Sequence, residues 1–160
     1  MTKPVFLIFI LQGCQTTGPA KRLIVFDPSE HEPYLQKGDC NILGQAFLKT
    51  RSGYVKYGAG NKVVLWPQTS YTTESRVRGT LGGTRLEPTD PRLAKYGWKT
   101  VADGSGNFEF KDLPIGSYYI ACAITWEVAG DYGMRNTGAL AIGEATVSES
   151  EKVVKVVVTR

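Results

Sequence analysis

Residues 100–128, TVADGSGNFEFKDLPIGSYYIACAITWEV, contain two β-strand patterns and two turns, and these features decide the fold. The first turn, Asp-Gly-Ser-Gly-Asn at residues 103–107, is followed by a strand in which phenylalanine alternates with polar residues. The second turn is Leu-Pro-Ile-Gly at residues 113–116, where proline supplies the φ that a turn needs and glycine releases the chain. Apolar residues at alternate positions of 120–128 then predict a long strand with one buried face.

The composition fits an all-β domain with a single core. The chain has 160 residues, of which 42% are hydrophobic and 11% aromatic, and this is enough to build one hydrophobic core. Its 18 glycines and 8 prolines, with short apolar runs and no long 3.6-residue period, favour strands joined by many turns. The net charge of +4 is scattered along the chain instead of forming a basic stripe, so we expect no nucleic-acid partner.

The stretch at residues 100–120 resembles the pattern T-D-x-x-G-x-F-x-F-x-x-L-P-x-G-x-Y of the carboxypeptidase regulatory-like domains, also called transthyretin-like or Cna-B-like domains. Residues 44–46 and 63–67 are similar to the start and the end of an earlier pair of strands in that family. The resemblance implies a seven-stranded Greek-key β-sandwich of the prealbumin-like type over residues 38–160. It also implies an accessory, adhesive or structural module without catalysis, which is an inference by analogy.

The amino-terminal residues have the layout of a bacterial lipoprotein signal. A lysine is followed by seven continuous apolar residues, and Leu-Gln-Gly-Cys at 11–14 resembles the lipobox, in which cleavage before the cysteine precedes its lipidation. We therefore expect residues 1–13 to be a signal peptide and Cys14 to carry the acyl chains, palmitate among them, that hold the protein on a membrane. Because Gln15 is not aspartate, the expected location is the outer membrane, facing the periplasm. The alternative is an apolar amino-terminal strand with a buried cysteine.

Residues 14–37 are predicted to be a flexible tether, because they contain three prolines and an acidic patch at residues 30–32. An apolar run at residues 23–26 is the exception, since it could dock as an edge strand.

The two remaining cysteines suggest a disulfide. An even number of cysteines is typical of an oxidising compartment, and the strand patterns point both Cys40 and Cys122 inward. A bridge between them would close a large loop and stabilise the fold by roughly 4 kcal/mol. The alternative of equal weight is a pair of buried thiols that behave as small hydrophobic residues and never meet.

Catalytic groups are sparse in the sequence. The one histidine, His31, falls in the predicted tether, so a Ser-His-Asp or Cys-His arrangement has no general base inside the domain. A proline-rich tether also offers no rigid frame for a metal at Asp27, His31 and the neighbouring glutamates. We expect no enzyme, no metal and no cofactor. Asp103 and Asn107 are predicted to be turn residues that bond their own backbone.

Residues 68–96 form an insert that is longer than such a domain needs. Glycine and proline are dense in it, which predicts an irregular loop, and its hydroxyl-rich start at residues 68–74 is predicted to be an exposed strand and loop. Four aromatic residues of the loops are candidate contacts for a sugar ring or another small ligand, although each could simply cover the sandwich: Trp66, Tyr71, Trp98 and Tyr132.

Two functional hypotheses follow. The first is a non-enzymatic, membrane-anchored module that displays its loops to an envelope partner, either a protein or a glycan. The alternative is a carbohydrate or small-ligand binding protein that uses the loop aromatics.

Overall fold

The structure, a computed structural model, describes residues 18–160, so the predicted signal peptide and Cys14 lie outside the described residues. Within this range two four-stranded sheets pack face to face, which confirms the predicted all-β sandwich. The range contains eight strands where the resemblance implied seven. They are β1 (Cys40–Lys49), β2 (Val55–Tyr57), β3 (Lys62–Pro67), β4 (Trp98–Val101), β5 (Asn107–Leu113), β6 (Gly116–Gly130), β7 (Gly133–Val147) and β8 (Val153–Val158).

The chain crosses between the two sheets several times. In the first sheet β1 is central, antiparallel to β2 and β5 and parallel to β8. The second sheet has the order β4-β3-β6-β7, and each neighbouring pair in it is antiparallel. A bridge between Ile142 of β7 and Thr159, which follows β8, connects the two sheets along one side.

The main core lies between the sheets and follows the predicted alternation. On β6 the residues at positions 118, 120, 122 and 124 are buried, whereas the residues between them are at least partly exposed. The facing sheet contributes Ile42, Ala46, Leu48, Phe108 and Phe110, and the neighbouring strand β3 contributes Val63 and Leu65. Burying these apolar side chains from both inner faces supplies the main stabilisation of the sandwich.

The two turns of residues 100–128 form as their residue types predict. The Asp103 carboxylate accepts hydrogen bonds from the backbone N–H groups of Ser105 and Asn107 at 2.8 and 2.9 Å. A further bond, from the Asn107 side chain, contributes most to holding the pKa of Asp103 below its ordinary value. Gly106 adopts a φ of 78°, which few other residues tolerate. At the second turn the Tyr118 hydroxyl donates to the Pro114 carbonyl oxygen at 2.6 Å.

The glycine-rich segment at residues 129–138 contains the tight turn of the β-hairpin that β6 and β7 form. Residues 133–138 are the first part of β7 and pair with β6, so Asp131 and Tyr132 alone separate the two strands. Gly138 shows why glycine occurs inside this strand. A Cβ atom there would lie 2.3 Å from the Ile124 carbonyl oxygen, so the close approach of the two backbones requires a residue without a side chain.

The described part of the predicted tether packs on the domain, which corrects the expectation of a flexible segment. Phe26 and His31 are buried, and Ala20 forms a parallel bridge with Leu86 of the insert. The prolines at positions 28 and 33 lie in the first turn of two short 3-10 helices, Pro28–Glu30 and Glu32–Leu35. Their fixed φ therefore starts helical turns here instead of keeping the chain extended.

The insert is also more ordered than predicted. It contains helix α1 (Ser70–Glu74), a π-helical segment (Ser75–Leu81) and a 3-10 helix (Pro91–Tyr96). The hydroxyl-rich start is not an exposed strand, because Thr69 and Thr72 cap α1 reciprocally through their side chains. None of the helices in residues 18–160 has the length and apolar character needed to cross a membrane.

Candidate functional site

A cleft lies between the insert and the outer face of the second sheet. We call it the insert cleft. Its volume is about 290 Å³. Strands β3, β6 and β7 form one wall through outward-pointing side chains, chiefly Trp66, Tyr119, Ala121, Leu140 and Ile142. The insert forms the other wall through Thr72, Ser75, Arg76, Thr80, Thr89, Asp90, Pro91, Leu93 and Ala94. The lining is mainly apolar, as is usual for small-molecule sites.

A second hydrophobic cluster holds the insert in place above the sheet. Phe26 from the amino-terminal segment packs with Tyr71, Leu93 and Tyr96 of the insert, and Trp66 packs against this cluster. The ring of Phe26 lies edge-on to that of Tyr71, with 5.4 Å between the ring centroids. The amino-terminal segment therefore stabilises the wall of the insert cleft from behind.

Hydrogen bonds fix the two ends of the insert wall. The buried Tyr71 hydroxyl accepts the backbone N–H of Asp90 at 2.7 Å, and the Thr72 hydroxyl donates to the Pro67 carbonyl oxygen at 2.6 Å. The Asp90 carboxylate pairs with the Arg92 guanidinium, and this hydrogen bond is the main reason that the pKa of Asp90 falls to about 2. Asp90 is therefore an ionised side chain that is already paired.

His31 joins the amino-terminal segment to helix α1. Its Nδ1 donates to the Asp27 carbonyl oxygen at 2.8 Å, which leaves Nε2 to accept from the Thr69 hydroxyl at 3.1 Å. Both ring nitrogens are therefore engaged, and the ring is fully buried. His31 belongs to the folded part of the chain and not to a free tether, and its role there is structural.

Glu74 makes a second connection between the same two segments. Its carboxylate accepts the backbone N–H groups of Leu23 and Ile24 at 2.7 and 3.2 Å and pairs with the guanidinium of Arg78. The bond from the Leu23 N–H contributes most to lowering the pKa of Glu74, and the pairing with Arg78 lowers it further. Glu74 therefore holds the amino-terminal segment on the insert in its ionised form.

Arg76 is the cationic residue of the insert cleft. Its Nη2 atom lies 3.4 Å from the Oε1 atom of Glu144, whose side chain is half exposed. The Nε and Nη1 atoms are buried and have no hydrogen-bond partner among residues 18–160. Since buried donors are nearly always paired, two unpaired nitrogens on one guanidinium make Arg76 a candidate group for binding an acceptor.

The structure separates the four aromatic residues that the sequence suggested as ligand contacts. Trp66 lines the insert cleft. Tyr71 lies behind the insert wall, where only 3% of it is exposed. Trp98 in β4 packs edge-on against Tyr118, next to the main core, with 5.7 Å between the ring centroids. Tyr132 is fully exposed at the β6–β7 turn. Of the four aromatic residues, Trp66 is therefore the one that can contact a ligand in the insert cleft.

The two core cysteines are both free and buried, and the structure does not bring them together. The Sγ of Cys122 and the Cβ of Ala46 would each lie 3.1 Å from a Cβ atom added at Gly58. Ala46 is six residues along β1 from Cys40, which corresponds to about 20 Å of strand. A disulfide needs Cα atoms within about 7 Å, so the proposed bridge does not fit this sandwich. Burial raises the pKa of both thiols.

Some residues that line the insert cleft were not predicted from the sequence, namely Arg76, Tyr119 and the apolar residues of β7. A signal was nevertheless present, because β3 is apolar on both faces, with Val64 and Trp66 opposite the core side. An apolar outer face predicts that another element covers the sheet. The insert is that element.

Comparison with known proteins finds a similar fold. A protein of Pseudomonas aeruginosa described as a "putative carbohydrate binding protein" is 29% identical, with a TM-score of 0.74, over 87% of this chain and all of the other. The major pilin subunit of Bacillus cereus is 16% identical, with a TM-score of 0.42, over 76% of this chain and 29% of the pilin. No protein-family model and no curated protein sequence matches the chain. The chain is thus similar in fold, over the whole length of the Pseudomonas protein, to a β-sandwich with a binding role ascribed to it.

Proposed function

We propose that this protein is a binding module without catalytic activity that holds a carbohydrate in the insert cleft. The observation that carries the proposal is the lining of the cleft, where an apolar wall that includes Trp66 meets a guanidinium with two unpaired nitrogens. The likeness to the Pseudomonas protein, at 29% identity and a TM-score of 0.74, supports the choice of a carbohydrate among small ligands.

The chemistry of a sugar suits such a lining. The C–H face of a pyranose ring packs on an aromatic or aliphatic surface, and its hydroxyl oxygens accept hydrogen bonds from buried donors. Trp66, Leu140 and Ile142 offer the apolar surface, and Arg76 offers the donors. A volume of about 290 Å³ equals that of about ten water molecules, which suits one monosaccharide unit.

Anchoring completes the proposal and stands as a prediction from the sequence. A lipid on Cys14 would hold the module at the outer membrane, facing the periplasm, with an envelope glycan as its partner. Display of the loops to an envelope protein remains the other prediction. Intact mass of the protein extracted from membranes, compared with a Cys14→Ala variant, tests the anchor, because added acyl mass must disappear in the variant.

The cleft is tested by filling it. Ala121 lines the insert cleft on the outer face of β6, so an Ala121→Leu variant places three more carbon atoms inside it. Ala123 points the same way two residues further along the strand, is exposed and does not line the cleft, so Ala123→Leu is the matched control. We expect calorimetric titration with monosaccharides to detect binding by the wild type and by the control. The affinity of Ala121→Leu should be at least ten-fold weaker.

Two results would refute the proposal. One is the absence of binding to neutral and acidic sugars alike at millimolar concentration. The other is equal affinity in the Ala121→Leu variant and the control, which would move the site away from the cleft.

A further inference from the structure

The guanidinium of Arg76 differs from those of its neighbours. Around the insert, Arg22 donates to the Ser75 hydroxyl at 2.8 Å, Arg78 pairs with Glu74, and Arg92 makes two bonds to the Asp90 carboxylate. The Arg76 side chain is only 19% exposed, yet two of its three nitrogens have no partner among the described residues. A cation held this far from water needs an acceptor, and the best acceptor for a guanidinium is a carboxylate.

Glu144 does not fill that need. It contacts only Nη2, at 3.4 Å, and its side chain is 54% exposed. A charge-assisted bond of this type is usually about 2.7 to 2.9 Å long, so the contact is a loose one. Each of the free nitrogens shares one edge of the planar guanidinium with Nη2. Because Nε and Nη1 are closed to solvent, a carboxylate binds along either edge only when the Arg76 side chain turns, and it must then compete with Glu144 for Nη2.

Arg76 is the charged residue of the insert cleft that is available to recognise a ligand. The acidic residue of the lining, Asp90, is already bound by Arg92. The remaining lining is apolar or carries neutral hydroxyls. An anion that enters the cleft thus meets one cation, held only by the loose contact with Glu144, among low-polarity walls, where charge pairing is stronger than in water.

We propose that the insert cleft selects an acidic sugar, a monosaccharide unit with a carboxylate, and that Arg76 binds this carboxylate in place of Glu144. This inference rests on the proposed function and adds the chemical class of the ligand. Arg76 is then the residue that determines specificity, whereas the apolar wall around Trp66 supplies binding that neutral sugars share.

The experiment compares matched sugars on the full chain. The probes are D-glucuronate against D-glucose and D-galacturonate against D-galactose, titrated by calorimetry. We expect the wild type to bind each uronate at least ten-fold more tightly than its neutral partner. An Arg76→Gln variant should lose this preference, so that each uronate binds no more tightly than its neutral partner, while an Arg76→Lys variant, with the charge but not the planar fork, should retain only part of the preference.

Glu144→Gln provides a test in the opposite direction. Removing the competing carboxylate should raise the affinity for both uronates several-fold and leave the affinity for the neutral sugars unchanged. Circular dichroism of each variant shows whether it is folded. Glu144→Gln should not disturb the fold, because the Glu144 side chain is half exposed.

The outcomes separate the two proposals. Equal binding of acidic and neutral sugars by the wild type, with no change in Arg76→Gln or Glu144→Gln, would overturn the acidic-sugar inference and leave the cleft as a carbohydrate site. Absence of binding to every one of the four sugars would overturn both.

Discussion

Replacing Phe26 by alanine should destabilise the protein strongly, although most of the surrounding segment, residues 14–37, was predicted to be a tether. Phe26 is 6% exposed, and its ring lies 4.6 Å from that of His31 and 5.4 Å from that of Tyr71. The Arg92 guanidinium stacks over it at 5.0 Å. Because Phe→Ala changes at buried sites cost about 3 to 5 kcal/mol, we expect a loss of roughly 3 kcal/mol from a cluster at the edge of the domain.

The measurement is urea unfolding of the wild type and the variant, followed by fluorescence and by far-ultraviolet circular dichroism. A loss of about 3 kcal/mol corresponds to a melting temperature lower by roughly 9 °C for a domain of this size. Val25→Ala is the matched control, since Val25 is the preceding residue and is 84% exposed. Its free energy of unfolding should stay within about 0.5 kcal/mol of the wild type.

The same pair of variants can also refute the reasoning. If Phe26→Ala unfolds like Val25→Ala, and if a protease cuts residues 18–37 of the native wild type as fast as it cuts an unfolded peptide, the segment is a tether after all. Cleavage that becomes fast only in Phe26→Ala would show instead that this ring holds the segment on the insert.

Three further predictions test the surroundings of the cleft and the core. Tyr71→Phe leaves the Asp90 N–H without its buried acceptor, so the free energy of unfolding should fall by about 1 to 3 kcal/mol in urea titrations; an unchanged value would contradict the hydrogen bond. The lowered pKa values of Glu74 and Asp90 mean that their contribution to stability is complete above about pH 4.5 and declines as the pH falls towards about 2; melting temperatures should follow this course, with a shallower slope in Glu74→Gln. Cys40 and Cys122 should resist a thiol reagent in the native protein and react in urea, because burial raises the pKa of both; a non-reduced mass two protons lower would indicate the bridge instead.

The sandwich is largely predictable because its signals are local. Asp103 and Gly106 specify their turn through side-chain oxygen and backbone freedom, and both act within five residues of the chain. The alternation from Ile120 to Ile124 depends only on the two-residue period of a strand. Such features do not need information about the rest of the molecule.

The insert and the amino-terminal segment were mispredicted for two different reasons. Thr69 and Thr72 did carry a local signal, because two threonines three residues apart can cap a helix reciprocally. A hydroxyl-rich segment is also typical of an exposed strand, and that interpretation was the one made. Phe26 belongs to the apolar run at residues 23–26, whose pattern allowed docking as an edge strand; Phe26 is buried, but the run forms no strand. His31 carried no signal, because its burial depends on contacts with an insert that is distant in the sequence. The role of Arg76 could not be predicted either, since an arginine becomes a candidate binding residue only when the fold leaves its nitrogens buried and unpaired.

The two walls of the insert cleft differ in what holds them. The sheet wall is held by the main core, because the residues on either side of Tyr119 and Ala121 in β6 are fully buried between the sheets. The insert wall depends on one small aromatic cluster and on two hydrogen bonds, from the Thr69 hydroxyl to His31 and from the Leu23 N–H to Glu74. Changes in the insert can therefore alter which ligand is bound without disturbing the sandwich, which is how binding sites on common folds acquire their specificity.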